Sequence, residues 1–117
     1  MANVLDFRAM KQHKRYMTTK LDDKENTTLM IGLPPKSVMS ELLELYGTVT
    51  ADVESGDVKK EMIDDMYSMC LKIMNNNKGG IKLTMKKLEE VLVDFDDLIL
   101  FLTAYIGFVT EVADSKN

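Results

Sequence analysis

Apolar and polar positions change rhythm once along this chain, at Pro34-Pro35. Before it, Arg15-Tyr16-Met17-Thr18-Thr19 and Thr27-Thr28-Leu29-Met30-Ile31-Gly32-Leu33 mix aromatic, β-branched and aliphatic residues that suit a pleated surface. Asp22-Asp23-Lys24-Glu25-Asn26 between them is a turn composition. Two short strands around a polar turn predict an antiparallel hairpin within residues 14–33. A lone hairpin is marginal in water, so it has to pack on the rest of the chain. Upstream, Leu5, Phe7 and Met10 predict a packing arm with at most a short helical turn.

After Pro35 the spacing becomes helical. Ser37 is the expected N-cap of a first helix carrying Val38, Leu42, Leu45, Tyr46 and Val49, ending near Glu54-Ser55-Gly56. Asp57 is the expected cap of a second, whose stripe of Val58, Met62, Met66, Met69 and Ile73 is flanked by Ile63, Tyr67, Cys70 and Met74. So wide an apolar face predicts the helix at the centre of a bundle. Asn75-Asn76-Asn77-Lys78-Gly79-Gly80 stops it. Thr84 caps a short helix with Met85, Leu88 and Leu92, and Asp94 caps the last, with Asp96 and Asp97 favourably placed at the positive end of its dipole. The fold expected is mainly α (α+β), an N-terminal β-hairpin followed by a bundle of about four helices. One domain is expected over residues 1–117, with an arm and hairpin over 1–36 and a helical body over 37–117.

The last helix is apolar nearly all round. Leu98, Phe101, Leu102, Tyr105, Phe108, Val109 and Val112 make one face; Ile99, Thr103, Ile106 and Thr110 make a second that is still largely apolar. At 1.5 Å per residue it is ~30 Å long, the full width of a body this size. Enclosing it with the remaining elements is difficult, which leaves three readings: self-association through this helix, a partner that covers it, or a central core helix with no partner role.

Length and composition fit this picture without adding chemistry. The 117 residues are 45% hydrophobic and 29% charged, as in a globular protein of one core. The net charge of −4 divides unevenly: residues 1–36 carry seven Lys/Arg against four Asp/Glu, and the remainder is acidic. The basic excess around Lys11, Lys14 and Arg15 is a weak electrostatic footprint, and no predicted helix has a basic face, so no nucleic-acid partner is expected. The longest apolar stretch, Leu98 to Val109, is shorter than the ~18–20 residues a membrane span requires, so no membrane is expected either. Met1 to Asp6 lack the basic and apolar segments of an export signal, and the single cysteine permits no internal disulfide, both pointing to a reducing compartment.

Catalytic and metal chemistry is hard to assemble. His13, the only histidine, sits among cations with no second metal ligand nearby and is expected at the surface. Cys70 lies on an apolar face among Met66, Met69 and Met74, where a thiol behaves as a small hydrophobe. Asp94-Phe95-Asp96-Asp97 lacks the alternating oxygen ligands, central Gly and closing Glu of a calcium loop, and Gly79-Gly80 lacks the Lys-Ser/Thr of a phosphate loop. No enzyme, cofactor or metal is expected. Ten Met residues, six of them in the helical part at or near apolar positions, suit core filling or an adaptable binding surface.

The opening Asn3-Val4-Leu5-Asp6-Phe7-Arg8-Ala9-Met10 resembles the start of the small tail assembly chaperones of long-tailed (siphovirus-type) phages and prophages of Gram-positive bacteria. The likeness is strongest over Asp96-Asp97-Leu98-Ile99-Leu100-Phe101-Leu102-Thr103-Ala104-Tyr105-Ile106-Gly107-Phe108-Val109 and the residues after it, and the asparagine-rich break at 75–79 also fits. The resemblance implies a protein that binds the tape measure protein in the host cytoplasm, keeps it soluble while tail tube subunits polymerise, and is absent from the finished virion. It also implies, for many members, a longer frameshifted form whose extension recruits tail tube protein; Ser115-Lys116-Asn117 is compatible with an A-rich slippery run. Joined to the apolar pattern, it gives Leu98, Phe101, Leu102, Tyr105, Phe108 and Val109, with Met62, Met66 and Met69, as the expected partner-binding residues. The alternative is a structural subunit of the tail or head–tail connector, whose hairpin edges would pair between copies.

Overall fold

The computed structural model describes residues 15–114, with side chains through Val112. The arm, His13, Lys11, Lys14 and the Ser115-Lys116-Asn117 ending lie outside the described residues. The rest is mainly helical with an N-terminal hairpin: β1 (Met17–Lys20), β2 (Thr28–Ile31), α1 (Lys36–Ser55), α2 (Lys60–Asn75), α3 (Met85–Val91) and α4 (Phe95–Asp114).

β1 and β2 pair antiparallel with Met17 opposite Ile31 and Lys20 opposite Thr28. The turn is built on Asp23, whose carboxylate accepts from the Thr27 amide at 2.8 Å and its hydroxyl at 2.6 Å. Lys87 of α3 reaches the same carboxylate at 3.1 Å and Glu25 at 3.2 Å, tying the turn to the helical body. The Thr27 bonds, with Lys87, hold the Asp23 carboxyl down to about 2 against the burial that pushes it up. A group depressed from 3.8 stabilises the fold fully above that value, and its contribution disappears as pH falls from about 4 towards 2. Thermal melts between pH 5 and pH 2 are therefore expected to fall more steeply for the native chain than for Asp23→Asn.

α2 is the hub, in contact with α1, α3, α4 and β2. The central position expected for the Met-rich stripe is observed: Met66, Cys70 and Met74 are fully buried, and Met62, Met69 and Ile73 nearly so. Most of the helical methionines are thus core. The hairpin contributes Leu29 and Ile31 to that core, and α1 contributes Leu42 and Val49.

Helix ends divide into those that side chains set and those that the backbone sets. Thr84 caps α3 as expected, its hydroxyl accepting from Lys87 N–H at 3.1 Å. Ahead of α4, Asp94 N–H donates to the Asp97 carboxylate at 3.2 Å, half of a capping box. Gly56, at φ 76°, ends α1 in a Schellman motif, with Asp57 N–H donating to Asp52 C=O and Gly56 N–H to Val53 C=O. Two caps are corrected. Pro35, not Ser37, precedes α1, because its ring already fixes the φ of −62° and its carbonyl accepts from Met39. Lys59, not Asp57, precedes α2, because the helix begins only at Lys60, three residues beyond Asp57, whose carboxylate lies 3.8 Å from Lys59; Val58 is left exposed outside the helix.

The asparagine-rich break does more than stop α2. The Asn75 side chain accepts from Leu83 N–H at 2.7 Å and donates to Leu83 C=O at 3.2 Å, imitating a strand pair. Asn77 brackets Ile81 the same way and also donates to Met74 C=O. Backbone bonds from Gly32 N–H to Asn76 C=O and from Lys78 N–H to Met30 C=O, each 2.9 Å, lay the break along the outer edge of β2. Asn75→Ala strands both backbone groups of buried Leu83 and is expected to cost about 1–3 kcal/mol in urea denaturation, with faster exchange of the Leu83 amide.

Candidate partner-binding surface

The nine residues expected to bind a partner divide by exposure. Leu98, Leu102, Tyr105 and Met66 have no exposed area, and Met62, Met69 and Phe101 have 5–7%. Phe108 and Val109 are half-buried. The apolar face of α4 and the Met-rich face of α2 belong largely to one core in this chain, so the expectation of an open surface is corrected for Leu98, Leu102, Tyr105 and Met66. Two apolar helical faces of one chain lose most surface to water by meeting each other.

The open side of α4 lies opposite. Leu100 is 71% exposed, and Thr103, Ala104, Gly107 and Thr110 follow it on the solvent side at helical spacing. A methyl group built on Gly107 would meet nothing within 4 Å. This side is only partly apolar, and it is the part of the helix that the other elements do not enclose. Principal extents of 56 × 36 × 19 Å agree with this: the body is about two helix diameters thick, and α4 has its neighbours on one side.

Between α4 and the hairpin runs a groove of about 620 Å³, lined by residues 17–22 from the hairpin and by Asp97, Leu100, Phe101 and Ala104 from α4, with Met74, Val91 and Leu92 also lining it. Its hairpin wall is a strand edge. Leu21 N–H donates to Thr27 C=O at 2.9 Å, which sets the alternation of the antiparallel ladder. Met17 and Thr19 then turn their backbone groups to β2, and Thr18 and Lys20 turn theirs outward. On the outward side of β2 the asparagine-rich break takes the Met30 C=O and the Gly32 N–H, so among the described residues the edge left wholly open is that of β1. Sequence periodicity could not separate the two edges, because their difference depends on residues 76–78.

Titratable groups offer little chemistry. Burial pushes the Cys70 thiol up to about 12. At pH 8 it is expected to ignore a disulfide reagent in the native protein and to react as one thiol per chain in denaturant. Burial also raises Tyr67, whose hydroxyl donates to Leu92 C=O at 2.6 Å. Among the described residues no group of three or more His, Cys, Asp or Glu is placed to hold a metal ion. No protein-family model, curated protein or solved structure matches this chain.

Proposed function

We propose that the protein is a tail assembly chaperone of long-tailed phages, which binds the tape measure protein and keeps it soluble during tail tube assembly. The observation that carries this reading is the groove between the β1 edge and α4, with Leu100 standing 71% exposed on the most apolar helix of the chain. An open strand edge bonds to main chain without regard to sequence, and a small apolar wall accepts varied side chains. That combination suits many segments of one long client. Affinity at each segment is modest, because ordering both partners offsets much of the ~25 cal/mol per Å² of buried apolar area. Many copies along one chain gain by avidity. The sequence resemblance supports the same assignment and adds the finer expectations: action in the host cytoplasm, absence from the virion, and tail tube recruitment by a frameshifted form. Among the described residues no helix is long and apolar enough to cross a membrane.

The test is co-expression with a tape measure protein of a long-tailed phage, followed by pull-down and size exclusion with light scattering. A soluble complex with several copies of this chain supports the chaperone reading. Rings or tubes of this chain alone, with no complex, would replace it with the structural-subunit reading, for which the supporting feature is the β1 edge left open among the described residues.

A further inference from the structure

A second groove, of about 540 Å³, runs between α1 and α2. Its floor is apolar, formed by Leu45, Met62 and Met69, the last two reaching it with the small exposure they retain. Glu44 and Asp52 line one rim and Glu61 and Asp65 the other, and none of the four has an ion-pair partner among the described residues. The cations at the groove are at its two ends: Lys72 bridges to Glu41 at 3.0 Å, and Lys59 pairs with Asp57 at 3.8 Å. Between these ends the groove carries four carboxylates over a methionine floor, a charge pattern complementary to a cationic occupant.

We infer that this groove binds a basic amphipathic helix, with apolar side chains on the methionine floor and Lys or Arg on both margins against the four carboxylates. This rests on the reading of the protein as one that works by binding a partner, and it names the chemistry of a segment it takes. The occupant is helical because both walls are helices and present no backbone donors or acceptors to an extended chain, whose own groups a helix satisfies internally. Rim positions from Glu41 to Asp52 cover ~17 Å, which is about three turns. Thioether side chains on the floor tolerate variation in the apolar residues they meet, so charge placement sets selectivity.

The probe is a designed 18-residue helical peptide of Leu and Lys, compared with its Leu/Glu counterpart by calorimetry at low and high salt. Saturable binding of the Lys peptide, weakened by salt and absent for the Glu peptide, is expected. The double change Glu61→Gln with Asp65→Asn should weaken it about tenfold, or about 1.4 kcal/mol. The matched change Glu89→Gln with Glu90→Gln, on exposed positions of α3, should leave it within twofold. Methyl resonances of Met62 and Met69 should shift on titration while those of Leu100 do not. Equal weakening by both double changes, equal binding of the two peptides, or shifts that map to Leu100 would overturn the assignment. So would a dimer of the free protein that the Glu61 and Asp65 changes dissociate, since the groove would then belong to a second copy. Failure of the co-expression test with the peptide result intact would remove the tape measure protein as client and leave the groove assignment standing.

Discussion

Tyr105→Ala is expected to lower the free energy of unfolding by about 3–5 kcal/mol, measured by urea denaturation. The ring has no exposed area and stacks on Phe101 at 6.2 Å, with Phe108 at 6.1 Å on its other side. Its hydroxyl donates to Gly32 C=O at 2.8 Å, a bond from α4 to the residue after β2. Tyr105→Phe keeps the ring and removes only that bond, so its cost is about 1–3 kcal/mol for the carbonyl left unpaired. A domain of this size holds only about 5–15 kcal/mol in all, so the alanine variant approaches unfolding at ordinary temperature. A change below 1 kcal/mol would mean that the α4 face does not close on the core as described. Loss of client capture in a Tyr105→Asp chain therefore reports a lost fold and says nothing about a lost contact.

Leu100→Asp is expected to do the opposite. Its side chain stands in water, so stability changes by no more than about 0.5 kcal/mol. Capture of the tape measure protein should fall by about tenfold or more, because covering a leucine is worth about 1.5–3 kcal/mol and a carboxylate in its place must be desolvated. The measurement is the amount of soluble tape measure protein recovered in co-expression, beside a thermal melt of the purified variant. An intact fold with undiminished recovery would exclude the groove between β1 and α4 as the capture surface.

The hairpin, four helices and central position of α2 were legible because each depends on local spacing. Met62, Met66, Met69 and Ile73 repeat on one face whatever surrounds them, and Thr84 caps α3 from within its own turn. Which face remains open was not legible. Leu98, Phe101 and Tyr105 carry the strongest apolar signal on α4, and for that reason the chain covers them itself, leaving the weaker row of Leu100, Ala104 and Gly107 outside. Periodicity identifies a face and not what it meets. The asparagines were legible as a stop to α2, but the bond from Asn76 to Leu33 exists only once the hairpin has been brought to the helix end, and the local bonds to Leu83, Ile81 and Met74 depend on a loop path that composition does not specify. Asp57 was misplaced as a cap because the link after Gly56 runs to Lys59 before the helix begins, a length that spacing alone does not specify.

The covered edge of β2 also dictates an order of assembly. Met30 and Gly32 complete their backbone pairing only with residues 76–78, which are positioned by the end of α2. Two backbone bonds thus join the hairpin to that helix end, although the whole of α1 lies between them in the chain. A nascent polypeptide that has emerged only as far as α1 has its hairpin sequence in hand and no native cover for β2. Closure of that edge is a late event, completed by the same asparagines that end the helix.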